Sequence, residues 1–235
     1  MNETAESLIR ANGAKRTSDA GSEIKIVNWG LIEYQEALNQ QLELVEMVQV
    51  DPKNETIIFC AHPPVVTLGR ATEPGDVSGW TGPVHEIQRG GRATYHGPSQ
   101  LVVYPILDLD SRGRDLHGYI RGLENAIIAT LGCFGLEGKA EKGATGVWVG
   151  DKKVASIGIG VKKWVTYHGL ALNVRHDPQA FQGINPCGFE AGTMTSIEEL
   201  LGTAVEQEDT ADILRSFLTK MFSARSEARD AISTL

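Results

Sequence analysis

Residues 146 to 161, GVWVGDKKVASIGIGV, place two β-rich runs on either side of Gly150-Asp151. A Gly-Asp pair suits a tight hairpin with positive φ, so the two runs are expected to pair with each other. Side chains alternate along a strand, which puts Lys153, Ala155, Ile157, Ile159 and Val161 on one face and Val154, Ser156, Gly158 and Gly160 on the other. The second face is nearly bare. A further strand follows in TYHGLALNV, residues 166 to 174.

The rest of the chain is organised around this core. IKIVNWG, from Ile24, has the pattern of a first strand. Leu38, Leu42, Val45 and Val48 recur at helical spacing from Tyr34 until Pro52 stops the run. TIIFCAHPPVVTLGR reads as a buried strand broken at Pro63 and Pro64, which cannot donate to a ladder. Leu116, Ile120, Leu123, Ile127, Leu131 and Phe134 keep a 3.6-residue period, so a second long helix is expected there, with Cys133 beside its stripe. Thr195 to Glu198 has the spacing of a capping box opening a short helix through Leu201, and Ile213, Phe217, Met221 and Phe222 mark a last amphipathic helix. Residues 1–22 are small and polar and read as a loose leader, leaving 23–235 as one domain. Strands and helices intersperse without a regular βαβ rhythm. The expected fold is α/β, a mixed sheet flanked by helices.

Composition narrows the function. Hydrophobic residues are 41% and charged residues 22%, ordinary for a globular protein, and no apolar run approaches the length that spans a bilayer. No secretory signal is visible, so a cytoplasmic protein without membrane contact is expected. The net charge of −8 argues against a sequence-independent hold on nucleic acid. Charge is uneven, however. Arg89, Arg92, Arg112, Arg114, Lys152, Lys153, Lys162 and Lys163 crowd the middle of the chain, either as scattered solubilising charge or as a basic face able to dock an acidic partner. Cys60, Cys133 and Cys187 are too few and too scattered for a disulfide framework, and neither they nor the six histidines show zinc spacing, so no metal is expected.

Three places invite chemistry. RGGRATYHGPSQ, residues 89 to 100, sets paired glycines and a His-Gly-Pro turn against the strand-like LVVYPILDL, where a strand gains nothing from glycine unless something must approach the main chain. TYHG occurs at 94 to 97 and again at 166 to 169, either as two matching strand ends or as two turns lining one pocket. Cys187, in INPCGF, sits in a loop that would present its sulfur; a nucleophilic thiol needs a base or a positive charge beside it. Lys153, on an otherwise apolar face, is either a snorkelling strand-end lysine or a charge put to use, whereas Lys152 points into solvent.

RGGRATYHGPSQLVVYP, KKVASIG, HGLALNV and NPCGF, in this order, resemble the lipoyl(octanoyl) transferase family of protein lipoylation from roughly Ile24 to Leu201. The resemblance implies a largely antiparallel sheet in a single domain like that of biotin and lipoate protein ligases. It also implies transfer of an octanoyl group from octanoyl-acyl carrier protein to a lysine of lipoyl domains, such as those of 2-oxoacid dehydrogenases and the glycine cleavage H protein. By resemblance Cys187 carries the acyl thioester and Lys153 lowers its pKa and serves as base. The acyl group falls to Arg89, Gly90, Gly91, Arg92, Ala93, Thr94, Tyr95 and His96, to Ser156, Ile157 and Gly158, and to Gly169, Leu170 and Ala171. No cofactor beyond the carrier's phosphopantetheine is implied. Ser99 stands where the family usually has glycine, a departure that matters if that backbone needs positive φ. The alternatives are an ATP-dependent lipoate or biotin ligase, a cysteine-dependent thioesterase, and a non-catalytic carrier-binding module. The first is disfavoured by the absence of a Gly-Arg-Gly-Arg adenylate loop, the last by the presence of Cys187 and Lys153.

Overall fold

The computed structural model describes residues 24–185 and 191–233, with side chains of the last helix to Phe222. In chain order the elements are β1 (Lys25–Leu31), α1 (Tyr34–Val50), β2 (Thr56–Ala61), β3 (Val65–Leu68), β4 (Val84–Glu86), β5 (Thr94–His96) and β6 (Gln100–Ile106). They continue with α2 (Leu116–Cys133), β7 (Gly138–Glu141), β8 (Ala144–Val149), β9 (Lys152–Lys162), β10 (Val165–Asn173), α3 (Ile197–Leu201) and α4 (Gln207–Ser233). The leader read at 1–22 lies outside the described residues.

A seven-stranded sheet runs in the order β1-β2-β6-β10-β9-β8-β7. Its β1–β2 pair is parallel, as the helix between those strands requires, and every other pair is antiparallel. A small sheet, β4-β3-β5, lies beside it. The run from 56 to 70 divides where the sequence suggested: Pro63 and Pro64 end the β2 ladder, and the chain re-enters as β3 in the other sheet.

Helices cover both faces of the large sheet. On one side α2 and α4 pack Leu123, Ile127, Leu214 and Leu218 against Phe59, Val103, Ile157 and Leu172. On the other, α1 packs Ala37, Val45 and Val48 against Ile58, Val102, Ile106 and Val165. The apolar stripe of α1 is rotated from the expected one: Tyr34, Ala37 and Gln41 are buried, while Leu38 and Leu42 are only partly covered. The capping box that opens α3 also sits one residue later than its sequence signal. Ser196 accepts from the Glu199 N–H while the Glu199 carboxylate accepts from the Ser196 N–H, because Ile197 must turn inward to the core.

The hairpin β8–β9 turns at Gly150, with φ +60°. One feature departs from simple alternation. The register slips between Val147, opposite Ala155, and Trp148, opposite Lys153, so Val154 is an extra residue on β9. Val154 and Ala155 both face the α2 core. Lys153 is thereby turned to the α1 side, the side of Ser156 and Gly158, and not to the side of Ala155 and Ile157 as alternation had placed it. Its Cε lies 2.8 Å from where a Cβ on Gly146, the partner of Ser156, would stand, and its ammonium sits 5.6 Å from the centre of the Trp148 ring.

Candidate active site

The α1-facing side of β9 and β10 is floored by small residues. Moving along β9 away from Lys153, Ser156 lies opposite Ala171, Gly158 opposite Gly169, and Gly160 opposite Tyr167. Next to them on β6 stand Val102, opposite Ala171, and Tyr104. A narrow cavity of about 40 Å³ lies over this floor, roofed by the segment that includes Arg89, Gly91, Thr94 and His96, with Tyr34 of α1. Ser156, Ile157, Gly158, Gly169, Leu170 and Ala171 all line it. The pair of TYHG segments does meet at one cavity, since both His96 and His168 are in its wall.

Glycine is required at two of these positions. A Cβ on Gly158 would fall 2.9 Å from Arg89 Cδ, so the roof rests directly on the floor there. Gly91 has φ +82°, a conformation that side chains resist, and it brings the roof backbone over the slot. Gly90 has a different task, donating its N–H to Ile159 O at 3.0 Å. Gly160 opens no slot, because the Tyr167 ring covers it to within 2.4 Å of a Cβ position. The nearly bare face is therefore shorter than alternation suggested, ending at Gly158.

Four expected acyl-binding residues stand outside the cavity lining: Gly90, Arg92, Ala93 and Tyr95. Strand alternation explains Tyr95: Thr94 and His96 point to the slot, so Tyr95 turns away, packs edge-on against Trp80 and Phe181, and donates to Asp177. Arg92 is held by Asp76 and Glu73, and Ala93 is buried. The Arg92 guanidinium also holds the Asp76 carboxyl below the usual carboxylate range. Ser99 is free of the backbone strain considered for it, since its φ is not positive; its hydroxyl donates to Asp177.

Sequence reasoning missed Tyr34, Val102 and Tyr104 as wall residues, because each has the pattern of an ordinary core position. The polar groups around the slot are tied into fixed tautomers. Ile32 O accepts from His62 Nδ1 at 2.8 Å, which leaves His62 Nε2 to accept from the Tyr104 hydroxyl at 2.7 Å. Gln100 Oε1 accepts from His96 Nδ1, and the Gln100 amide reaches Asn173, whose own amide donates to Thr195 O. Burial lowers the pKa of all three histidines, His62, His96 and His168, the last to about 3, so they stand neutral at physiological pH. Burial likewise pushes the Cys60 thiol up, the mark of a packing cysteine, as its sequence context suggested.

Lys153 is 1% exposed, so it is no snorkelling lysine. Lys152 is exposed and donates to Gly192 O, as expected of the solvent-facing neighbour. Cys187 lies outside the described residues. The chain on either side of it is anchored: Gly183 O accepts from Ser78 and Gly79, Asn185 donates to Asp76 O, and Met194 bridges to Lys153 while Thr195 donates to Lys153 O. Several of the basic residues in the middle of the chain are buried or paired, while Lys152 and Lys163 are exposed. Arg89 is buried and donates to Thr67, Arg112 is buried against Glu55, and Arg92, Arg114 and Lys162 each pair with a carboxylate. Among the described residues no cluster of metal-ligating side chains occurs, and no helix is long and apolar enough to cross a membrane.

Comparison with known proteins agrees with this geometry. The family model "Lipoyl protein ligase A/B catalytic domain" matches residues 33–219. A protein of Bdellovibrio bacteriovorus named octanoyltransferase is 46% identical over 83% of this chain and 96% of its own length. Another so named, from Geobacter metallireducens, is 44% identical over 77% of this chain and 84% of its own. Among solved structures, a lipoate-protein ligase A bound with ATP superposes with a TM-score of 0.67 at 14% identity, covering 88% of this chain and 92% of that one. A biotin protein ligase of Aquifex aeolicus gives 0.51 at 12% identity, covering 87% and 72%. The mixed sheet is thus the fold of lipoate and biotin ligases, and the chain belongs to the lipoyl protein ligase A/B catalytic domain family, as an octanoyltransferase-like transferase.

Proposed function

We propose that this transferase moves an octanoyl group from octanoyl-acyl carrier protein to the lysine of a lipoyl domain, in the cytoplasm, through a thioester on Cys187. The observation that carries the reading is the slot itself: a narrow, largely apolar cavity whose floor of Ser156, Gly158, Gly169 and Ala171 begins next to a buried lysine. Burying an acyl chain there stabilises the complex by about 0.8 kcal/mol for each CH₂. The anchoring of residues 194 and 195 on Lys153, a few residues beyond Cys187, supports a role for both side chains at the mouth.

The chemistry divides into two exchanges. Cys187 as thiolate attacks the thioester carbonyl carbon; the C–S bond to the carrier breaks, and the phosphopantetheine sulfur leaves and takes its proton from the Lys153 ammonium. A lipoyl-domain lysine that has lost its first proton to solvent then attacks the enzyme thioester; the now neutral Lys153 takes the second proton as the amide forms, and the C–S bond breaks to release the Cys187 thiolate. One thioester replaces another in the first exchange, so neither nucleotide nor other cofactor is called for. A buried ammonium on Lys153, placed beside the sulfur, would favour the thiolate.

Incubation with octanoyl-acyl carrier protein is expected to add one octanoyl mass to the enzyme, mapping to Cys187 and absent in Cys187→Ala. An adduct that survives the substitution, or that maps to Cys60 or Cys133, removes the assignment. Modification of lipoyl domains by free octanoate only when ATP is added would show a ligase; release of free octanoate without a carrier would show a thioesterase.

A further inference from the structure

The slot opens beside Lys153 and must end somewhere along β10. The end is marked by an irregular residue. His168 has φ +56°, in the left-handed region that a residue with a Cβ adopts only under constraint. Alternation would send its side chain into the α2 core, with Leu170 and Leu172. Instead its ring stands 4.6 Å from that of Tyr167, on the α1 side, and joins the cavity wall. The constraint is visible: the His168 N–H donates to Oε1 of Gln41, a fully buried side chain of α1, at 2.8 Å. His168 is 2% exposed, and its Nε2 makes no hydrogen bond. An ordinary strand residue here would leave only the Tyr167 ring, over Gly160, to close the floor beyond Gly169. The twist places an imidazole there, with the Tyr167 ring beside it over Gly160.

We propose that His168 is the end stop of the acyl slot and sets the length of chain the enzyme accepts. This rests on the acyl-transfer reading above. The strain at His168 persists because the imidazole must face the slot, and the Gln41 bond fixes the backbone that aims it.

His168→Gly tests this directly, because glycine takes φ +56° without strain and keeps the N–H that Gln41 accepts. His168→Asn, shorter than histidine and tolerant of the same backbone, is the second variant. Wild type and both variants, as full chains, are given octanoyl, decanoyl and dodecanoyl thioesters of acyl carrier protein, and lipoyl-domain modification is followed by mass. For His168→Gly the ratio of decanoyl to octanoyl kcat/KM should rise by about fifteenfold, the value of two more buried methylenes, with a smaller rise for His168→Asn. Ratios within twofold of wild type in both variants, with thermal melting showing them folded, overturn the end stop. Should His168→Gly fail to fold, the ratio in His168→Asn decides. A wild-type enzyme that uses none of the three donors overturns the acyl-transfer reading, and the end stop with it.

Discussion

Strands β9 and β10 present two faces that are opposite in kind although they come from the same residues of chain. Toward α2 and α4 they offer Ala155, Ile157, Leu170 and Leu172, which interlock with Leu123, Ile127 and Leu218 in a continuous core. Toward α1 they offer Ser156, Gly158, Gly169 and Ala171, which leave the slot. One face excludes space and carries stability; the other withholds side-chain volume and leaves the slot. A cavity in a close-packed protein is built by omission, and it persists because the opposite face of the same strands holds them rigid.

The sharpest way to break this comparison is at the bulge, where the two faces exchange. Lys153→Ala should lower kcat by about 10²- to 10⁴-fold, the usual worth of a positioned proton acceptor, and raise the pH at which Cys187 is alkylated by iodoacetamide. Lys152→Ala removes the same charge from the exposed neighbour and should change neither by more than about twofold. Equal effects of the two would place Lys153 off the slot.

The core face should answer to volume loss and the slot face to volume gain. Leu172→Ala, at a fully buried position, is expected to lower the unfolding free energy in urea by about 2–5 kcal/mol. Ala171→Val, one residue away and facing the slot, should change it by less than about 1.5 kcal/mol while cutting kcat/KM for octanoyl-acyl carrier protein about tenfold or more. A large stability loss in Ala171→Val with transfer intact would mean that the space is ordinary packing.

The slot side also holds the buried histidines, so it should dominate the acid response. Below the ordinary value of 6.5 the unfolded chain binds protons that the neutral His62, His96 and His168 refuse, the last until about pH 3. Unfolding then takes up protons, so the contribution of these groups to stability is full above pH 6.5 and falls as pH drops; for His168 the loss is about 1.4 kcal/mol per pH unit down to about pH 3. His168→Gly should flatten the slope of urea stability between pH 6 and 5 by about that amount. An unchanged slope would show that His168 is accessible to protons. The smallest effect is expected at Ser156, whose buried Oγ makes no hydrogen bond: Ser156→Ala should raise the unfolding free energy by up to about 1 kcal/mol.

Much of this was legible in the chain. The hairpin at Gly150, the two long helices, and the break at Pro63 and Pro64 follow from local rules of turn chemistry and periodicity, which act over a few residues and so are written in them. The small residues of the slot floor were readable for the same reason: side chains that are absent from one face of a strand are absent whatever packs against it.

Tertiary structure decided the rest. No local pattern announces that Val154 is an extra residue, because a bulge is a property of two strands in register, and it alone brings Lys153 to the face of Ser156 and Gly158. Two basic residues of the middle segment likewise found their carboxylates far along the chain, Arg112 at Glu55 and Lys162 at Glu46, pairings that no local pattern announces. His168 turned against alternation because Gln41, more than a hundred residues earlier, holds its backbone. The sequence by itself determined which elements form and which face of β9 is empty, since those depend on side-chain size and short-range torsion. What fills the empty face, and where it ends, depended on contacts between residues distant in the chain, which only the closed fold brings within reach of one another.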